Sequence, residues 1–393
     1  VSETTYPNFS FEIKHKSPSS HARLGRLLTP HGAIDTPNYI FCGTKAALRS
    51  MTAAQAKSLG ADIILSNTYH LMIQPGADVV EKLGGLHAMM GWDGPMLTDS
   101  GGFQIFSMGH GTIADEIKGR RNDGRDKMLL NISEEGAVFK SYMGGGEITL
   151  TPESSMQIQR KLGADLIVQL DECTAFHVDK DYTAKSMRMS HRWGDRSLAE
   201  FKRTNDGKQA VYGIMQGGVY QDLRQESAEY TRDRDFFGTA IGGSLGGSRA
   251  QMVDVVGVCM QYAHPDRPVH LLGIGGIQDV FDNVRLGIDT FDCVSPTRIA
   301  RHGWALSKGA PRERLNMRNA RFRDDTTPLA ADQDNPASQF SRGYLHHLVK
   351  AHEPLAIHIL SMHNVATITR LMREIRAAIA TDTLDQLEKE WIV

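Results

Sequence analysis

Two aspartates stand where apolar runs stop. Pro95-Met96-Leu97 gives way to Thr98-Asp99-Ser100-Gly101-Gly102-Phe103-Gln104, and Ile288-Asp289-Thr290-Phe291 gives way to Asp292-Cys293-Val294-Ser295-Pro296. Two carboxyl groups, if brought together, suit glycosyl transfer with retention: one attacks the anomeric carbon and the other moves a proton. An aspartate at a strand end also serves as a helix N-cap or turn residue, so spacing alone leaves both uses open. Asp171 extends a third run, and a buried carboxylate there needs donors. A purine edge with an N1–H and an exocyclic amine supplies two. Gln216 could recognise a carbonyl nearby. Gly217, Gly218, Gly242 and Gly243 permit close backbone approach, or simply make tight turns.

Counting the Asp171 run, four runs besides the first two end in the same way. They are Ile63–Leu65 into Ser66-Asn67-Thr68, Leu166–Leu170 into Asp171-Glu172, Val211–Met215 into Gln216-Gly217-Gly218, and Val269–Leu272 into Gly273-Ile274-Gly275-Gly276. A parallel strand buried on both faces reads as such a run. Helix-like segments alternate with them: Pro152–Leu162, Thr183–Arg203, Gln221–Arg232 and Gln251–Tyr262. The repetition predicts an α/β fold, an irregular (β/α)8 TIM barrel whose polar strand ends converge at one mouth. Residues 1–320 are assigned to the barrel, with a basic, Gly-containing insertion at 108–130, and 321–393 to a C-terminal helical subdomain. Val365, Ile368, Leu371, Met372, Ile375 and Ile379 mark an amphipathic helix there.

The chain has 393 residues, 40% hydrophobic and 23% charged, which is the composition of a soluble globular protein. No apolar stretch reaches membrane-spanning length and the polar start lacks a signal-peptide core, so no membrane partner is expected. Cys42, Cys173, Cys259 and Cys293 are scattered, which points to a reducing cytoplasm. A net charge of −2 attracts no polyanion globally, so nucleic acid would need a local basic patch. Lys118, Arg120, Arg121, Arg125 and Lys127 form one candidate, and Arg312, Arg314, Arg318, Arg321 and Arg323 another; a solvated charged face explains either equally. Gly273-Ile274-Gly275-Gly276 is not a dinucleotide fingerprint, because the third glycine would fall at Gln278.

Eight segments, in order, resemble the tRNA-guanine transglycosylases. They are Asn67-Thr68-Tyr69-His70-Leu71, Thr98–Gln104, Asp171-Glu172-Cys173-Thr174, Gln216-Gly217-Gly218, Ile241-Gly242-Gly243, Phe291–Arg298, Asn316–Phe322 and Ser361-Met362-His363-Asn364. The resemblance implies exchange of guanine at the anticodon wobble position of tRNA for a free 7-deazaguanine base. In that reading Asp292 is the nucleophile on ribose C1′ and Asp99 the general acid/base. Asp171 holds the N1–H and 2-amino edge, Gln216 and the Gly243 N–H take the 6-oxo group, and Phe103 and Leu272 sandwich the ring. Asn67, Cys173, Ser244 and Gly246 complete the pocket, and Arg298 and Arg301 resemble tRNA-contacting arginines. The resemblance also implies a homodimer, and a pairing subunit without activity is the competing class. Retention of Asp99, Asp292, Asp171 and Gln216 favours the enzyme.

The chain departs from the family in three places. The family's structural zinc is held by Cys-x-Cys-x-x-Cys and a later His; here those positions read Asp332, Asp334 and Ala337, with only His363 kept, so no metal or other cofactor is expected. Gly246 stands where enzymes using the small aminomethyl base preQ1 carry valine, which favours queuine as the free base. Cys173 resembles the preQ1-using type, and Ser248 replaces a usual glutamate. The 108–130 insertion is longer than in compact members and is expected to touch tRNA or shield the site.

Overall fold

The computed structural model describes residues 5–104, 129–141, 143, 145–176 and 178–393. An antiparallel sheet of β1 (Ser10–Lys16), β2 (Arg23–Thr29) and β3 (Gly32–Thr36) comes first. Eight parallel strands then close a barrel: β4 (Asn38–Cys42), β5 (Ile64–Ser66), β6 (Met96–Thr98), and, after an inserted sheet, β10 to β14. The inserted antiparallel sheet is β7 (Leu129–Ser133), β8 (Gly136–Lys140) and β9 (Glu147–Leu150). The later barrel strands are β10 (Leu166–Val168), β11 (Ala210–Met215), β12 (Gly238–Ile241), β13 (Val269–Leu271) and β14 (Thr290–Cys293). A short pair, β15 (Trp304–Leu306) and β16 (Arg314–Asn316), follows. The fold is the expected (β/α)8 barrel.

Closure is made by β14 on β4, with Asp292 opposite Ile40 and Cys293 opposite Phe41. Every residue of β11 is buried, which is why it reads as an unbroken apolar run. Helix boundaries follow their caps. Thr151 and Ser154 form a capping box at the start of the helix Pro152–Leu162, and left-handed Gly163 ends it. The long helix Pro354–Thr381 packs Val365, Ile368, Leu371, Met372, Ile375 and Ile379 into the same apolar cluster as Tyr39 and Ile64 of the barrel. A second cluster, from Ala300 to Leu360, straddles residue 320.

The two ends of the barrel treat their carboxylates differently. At the end where the strands begin, Asp289 accepts from Arg23 through Nε at 3.0 Å and Nη2 at 2.6 Å, and takes the Val269 N–H at 2.7 Å. There too, Asp165 binds His31 at 2.7 Å and the Met96 N–H at 2.8 Å. These groups staple strands together, the stabilising role expected of that face.

Two barrel strands escaped the search for apolar runs. β12 is Gly-Thr-Ala-Ile and starts where a side chain on Gly238 would lie 2.4 Å from the Tyr212 ring. In β4, the run Tyr39-Ile40-Phe41-Cys42 is only four residues long and opens on a polar residue, Asn38. The β1–β3 sheet was missed because in β2 residue type does not follow burial: Arg23 is buried and Leu28 exposed, so no polar–apolar alternation shows. Of the insertion predicted at 108–130, residues 108–128 lie outside the described ones; Leu129 and Leu130 belong to β7.

Candidate active site at the barrel mouth

At the mouth, where the strands end, the donors around the carboxylates are amides, hydroxyls, main-chain N–H groups, an imidazole and a thiol. Asp99 follows β6. Its Oδ1 accepts the Thr68 N–H at 2.8 Å, and its Oδ2 accepts Asn67 Nδ2 at 2.5 Å and Gln104 Nε2 at 2.9 Å. Burial raises its pKa; these three donors oppose the rise, and the nearby charge of Asp292 adds to it. Asn67, immediately after β5, therefore orients a carboxylate in this structure.

Asp292 lies on β14 and is buried. Its Oδ1 takes the Gly273 N–H at 2.8 Å and faces His270 Nε2 at 3.2 Å. Among the described residues its Oδ2 meets only the Cys42 thiol, at 3.6 Å. One oxygen is held firmly while the other keeps its lone pairs almost uncommitted. Asp99 is thus held at both oxygens with its pKa raised by burial, whereas Asp292 is held chiefly at one oxygen.

Asp171, beyond β10, is buried with its pKa raised to about 6 by desolvation. Ser100 Oγ donates to its Oδ1 at 3.1 Å and Gln216 Nε2 to its Oδ2 at 2.6 Å. Gln216 begins the loop after β11, and Gly243 lies in the loop after β12. Gly243 has φ 79°, and a Cβ there would sit 2.2 Å from Gln216 Oε1, so only glycine lets the two loops meet. Leu272 follows β13 and borders Gly242, while Phe103 follows β6 with 41% of its surface exposed. Cys173 is buried in a small cluster with Ala175 and Val178. Ser244 offers its carbonyl to Arg224.

Gly246 is different from the pocket residue expected. Its φ is +114°, and an added Cβ would meet the Gln251 side chain at 2.5 Å. A valine there is strained by its backbone before its bulk reaches any ligand. Arg298 is exposed on the helix Ser295–Ala300, and Arg301 follows as that helix's C-cap. Burial and the charges of Arg49 and Arg298 lower the pKa of Arg301, as expected for a small cluster of like charges.

Two residues that the sequence did not single out organise this mouth. His270 faces Asp292. Arg224, fully buried, donates to four main-chain carbonyls: Gly218 at 2.8 Å, Met215 and Gly242 at 2.9 Å, and Ser244 at 3.1 Å. It thereby pins the Gln216 loop to the Gly243 loop. An arginine inside an amphipathic helix reads as a surface residue, so nothing in the pattern marked it.

The expected remnant of a zinc site is shifted by one residue. Asp332 is exposed and paired with Arg370 at 2.6 Å; Asp334 is exposed and Ala337 has no donor. The side chains gathered with His363 are Gln333, Asn335, Ser338 and Thr367, all buried. Ser338 Oγ lies 2.8 Å from His363 Nδ1 and the Leu306 carbonyl 2.7 Å from Nε2. Asn335 donates to Ser338 at 2.6 Å and Gln333 to Thr367 at 2.8 Å. The spacing x-x-Cys positions would need is kept, but amides and a hydroxyl fill it and both imidazole nitrogens are engaged. This donor set does not fit zinc, which prefers thiolates and a free imidazole lone pair.

The family model described as queuine tRNA-ribosyltransferase matches residues 17–393. A queuine tRNA-ribosyltransferase of Roseiflexus sp. (strain RS-1) is 46% identical, over 98% of this chain and 99% of the relative. Namesakes from Natranaerobius thermophilus and Protochlamydia amoebophila are 42% and 40% identical, over 95% and 96% of this chain and the same shares of their own. With a match that runs through the barrel and the C-terminal helices alike, the chain belongs to the queuine tRNA-ribosyltransferase family, the tRNA-guanine transglycosylases.

Proposed function

We propose that this chain exchanges guanine at the anticodon wobble position of tRNA for a 7-deazaguanine, with queuine, the base in the names of its relatives, the preferred free base, by double displacement on ribose C1′. The observation that carries the reading is the contrast between Asp292, with one oxygen met only by a thiol among the described residues, and Asp99, held by three donors and with its pKa raised by burial.

In the first displacement Asp292 Oδ2 forms a bond to C1′ as the C1′–N9 bond breaks. The departing guanine keeps that electron pair and takes a proton from Asp99. In the second, Asp99 accepts the N9 proton of the incoming base, N9 bonds to C1′, and the ester C–O bond breaks to restore the Asp292 carboxylate. The target nucleotide must leave its stack to expose C1′, and a snug base pocket offsets part of that cost. Asp171 receives the N1–H and 2-amino donors. Gln216, released from Asp171, turns its amide N–H toward the 6-oxo group beside the Gly243 N–H, with Phe103 and Leu272 on the two ring faces. Arg298 and Arg301 contact phosphates and set position. No metal or redox cofactor takes part, and two copies of the chain form a dimer.

The test is displacement of radiolabelled guanine from a wobble-guanine tRNA by queuine or preQ1, with Asp292→Ala as control. Release favouring queuine, together with loss of activity and of a denaturant-stable tRNA adduct in Asp292→Ala, is the expected result. Preference for preQ1 removes the queuine reading. Activity surviving in Asp292→Ala removes the mechanism, and an inert wild-type chain with bound tRNA favours the non-catalytic partner subunit.

A further inference from the structure

We infer that His270 is a positioning residue that commits Asp292 Oδ1 to hydrogen bonding, reserves Oδ2 for attack, and stabilises the carboxylate as it leaves C1′. The inference rests on the reading of Asp292 as the attacking group.

Strand register produces the arrangement. β13 and β14 are parallel, with His270 opposite Thr290. Side chains two apart share a face of a strand, so Thr290 and Asp292 lie side by side along the reach of one imidazole. Its Nδ1 is 2.9 Å from Thr290 Oγ1 and its Nε2 is 3.2 Å from Asp292 Oδ1. His270 is entirely buried, so the ring is fixed by the barrel interior rather than by water. A carboxylate oxygen only accepts, so this contact assigns the proton to Nε2. The Gly273 N–H at 2.8 Å is a second donor on the same oxygen.

The chemistry gives these donors a direction. When Oδ2 bonds to C1′, the aspartate becomes an ester and Oδ1 a carbonyl oxygen, a weaker acceptor than a carboxylate oxygen. Donors on Oδ1 therefore favour the carboxylate over the ester. They assist departure of Asp292 from C1′ when the incoming base attacks, more than they assist formation of the adduct.

Two substitutions of similar size separate this role from simple packing. In His270→Gln the amide nitrogen falls near the Nε2 position and still reaches Asp292. In His270→Asn it falls near Nδ1 and reaches only Thr290. We expect His270→Asn to lower kcat by about 100-fold, to leave KM for free guanine unchanged, and to raise the fraction of enzyme trapped as tRNA adduct on denaturing gels. His270→Gln should recover at least about tenfold of that loss. Equal turnover in the two variants, or an adduct fraction that falls in His270→Asn, overturns the inference. Asp292→Ala is run beside them: an adduct that persists there shows instead that the reading of Asp292 is at fault.

Discussion

Gln216 donates from Nε2 to Asp171 Oδ2 at 2.6 Å, while its own Oε1 is buried with no hydrogen-bond partner among the described residues. An amide and a carboxylate thus hold each other in place. A ligand that brings two donors to Asp171 substitutes for that amide.

Such a ligand needs Asp171 ionised, because only the carboxylate accepts two hydrogen bonds without also presenting a proton. With its pKa raised to about 6, the ionised fraction grows as pH rises through that value. KM for free guanine should rise about tenfold per pH unit below it and level off above. Steady-state kinetics across about pH 5 to 8 check this. Asp171→Asn should remove the dependence and weaken binding throughout; a parallel slope in that variant would assign the titration elsewhere. The same shift affects folding with a defined sign. The folded chain holds this proton above the ordinary Asp value of about 4, so the resulting stability is full below that value and is lost as pH rises through about 6.

Arg224 ties the Gln216 loop to the Gly243 loop through main-chain carbonyls alone. Arg224→Met would leave the Gly218, Met215, Gly242 and Ser244 carbonyls without this partner. The Met215 carbonyl keeps the Gly242 N–H at 3.1 Å, but a buried carbonyl left unpaired costs roughly 1–3 kcal/mol, so a clear drop in denaturant midpoint is expected. Arg224→Lys should restore part of the stability but loosen the two loops. Its KM for guanine should rise several-fold with affinity for tRNA unchanged. Unaltered KM in a folded Arg224→Lys enzyme would confine the residue to stability.

The hydrogen-bonded group around His363 should behave as a metal-free clasp. Burial lowers the His363 pKa to about 4, so the ring is neutral near pH 7. Chelators should leave the melting temperature of the native chain unchanged. The triple substitution Gln333→Cys, Asn335→Cys and Ser338→Cys, with His363 kept, should bind one zinc per chain and gain stability from added zinc. Placing the cysteines at 332, 334 and 337 should not. A native melting temperature that falls on chelation would show that some metal does hold this segment.

Gly246→Val should impair use of queuine and preQ1 alike. The backbone at φ +114° costs about 1–3 kcal/mol for a β-branched residue, and Gln251 occupies the space for Cβ. Adding Gln251→Ala relieves the collision and leaves the backbone strain. Selective loss of queuine with preQ1 use intact would return Gly246 to the role of a size filter.

The sequence made the mouth legible because strand ends are marked twice, by an apolar run behind and polar or glycine residues ahead. Asp99, Asp171, Gln216 and Asp292 could be placed on that basis. His270 could not: it sits inside the run Val269–Leu272, where a histidine reads as a core residue, and only the pairing of His270 with Thr290 turns it toward Asp292. Arg224 was hidden by its helix, whose polar residues look solvated until the loops fold over one of them. The His363 clasp was misplaced by one position, because spacing repeats identically in either register and only burial separates Gln333 from Asp332. Gly246 was read for its missing side chain, when its backbone angle was the stronger constraint.

The closing pair of strands also sets a timetable. Asp292 is carried by the last barrel strand and completes its surroundings with Cys42 from the first, 250 residues earlier. A chain still emerging from a ribosome, or cut short before Thr290, has the loops that carry Asp99, Asp171 and Gln216 but neither Asp292 nor a closed ring. Until then β4 and β13 are open edges, the condition most prone to mispairing. Competence therefore arrives in one late event rather than by degrees.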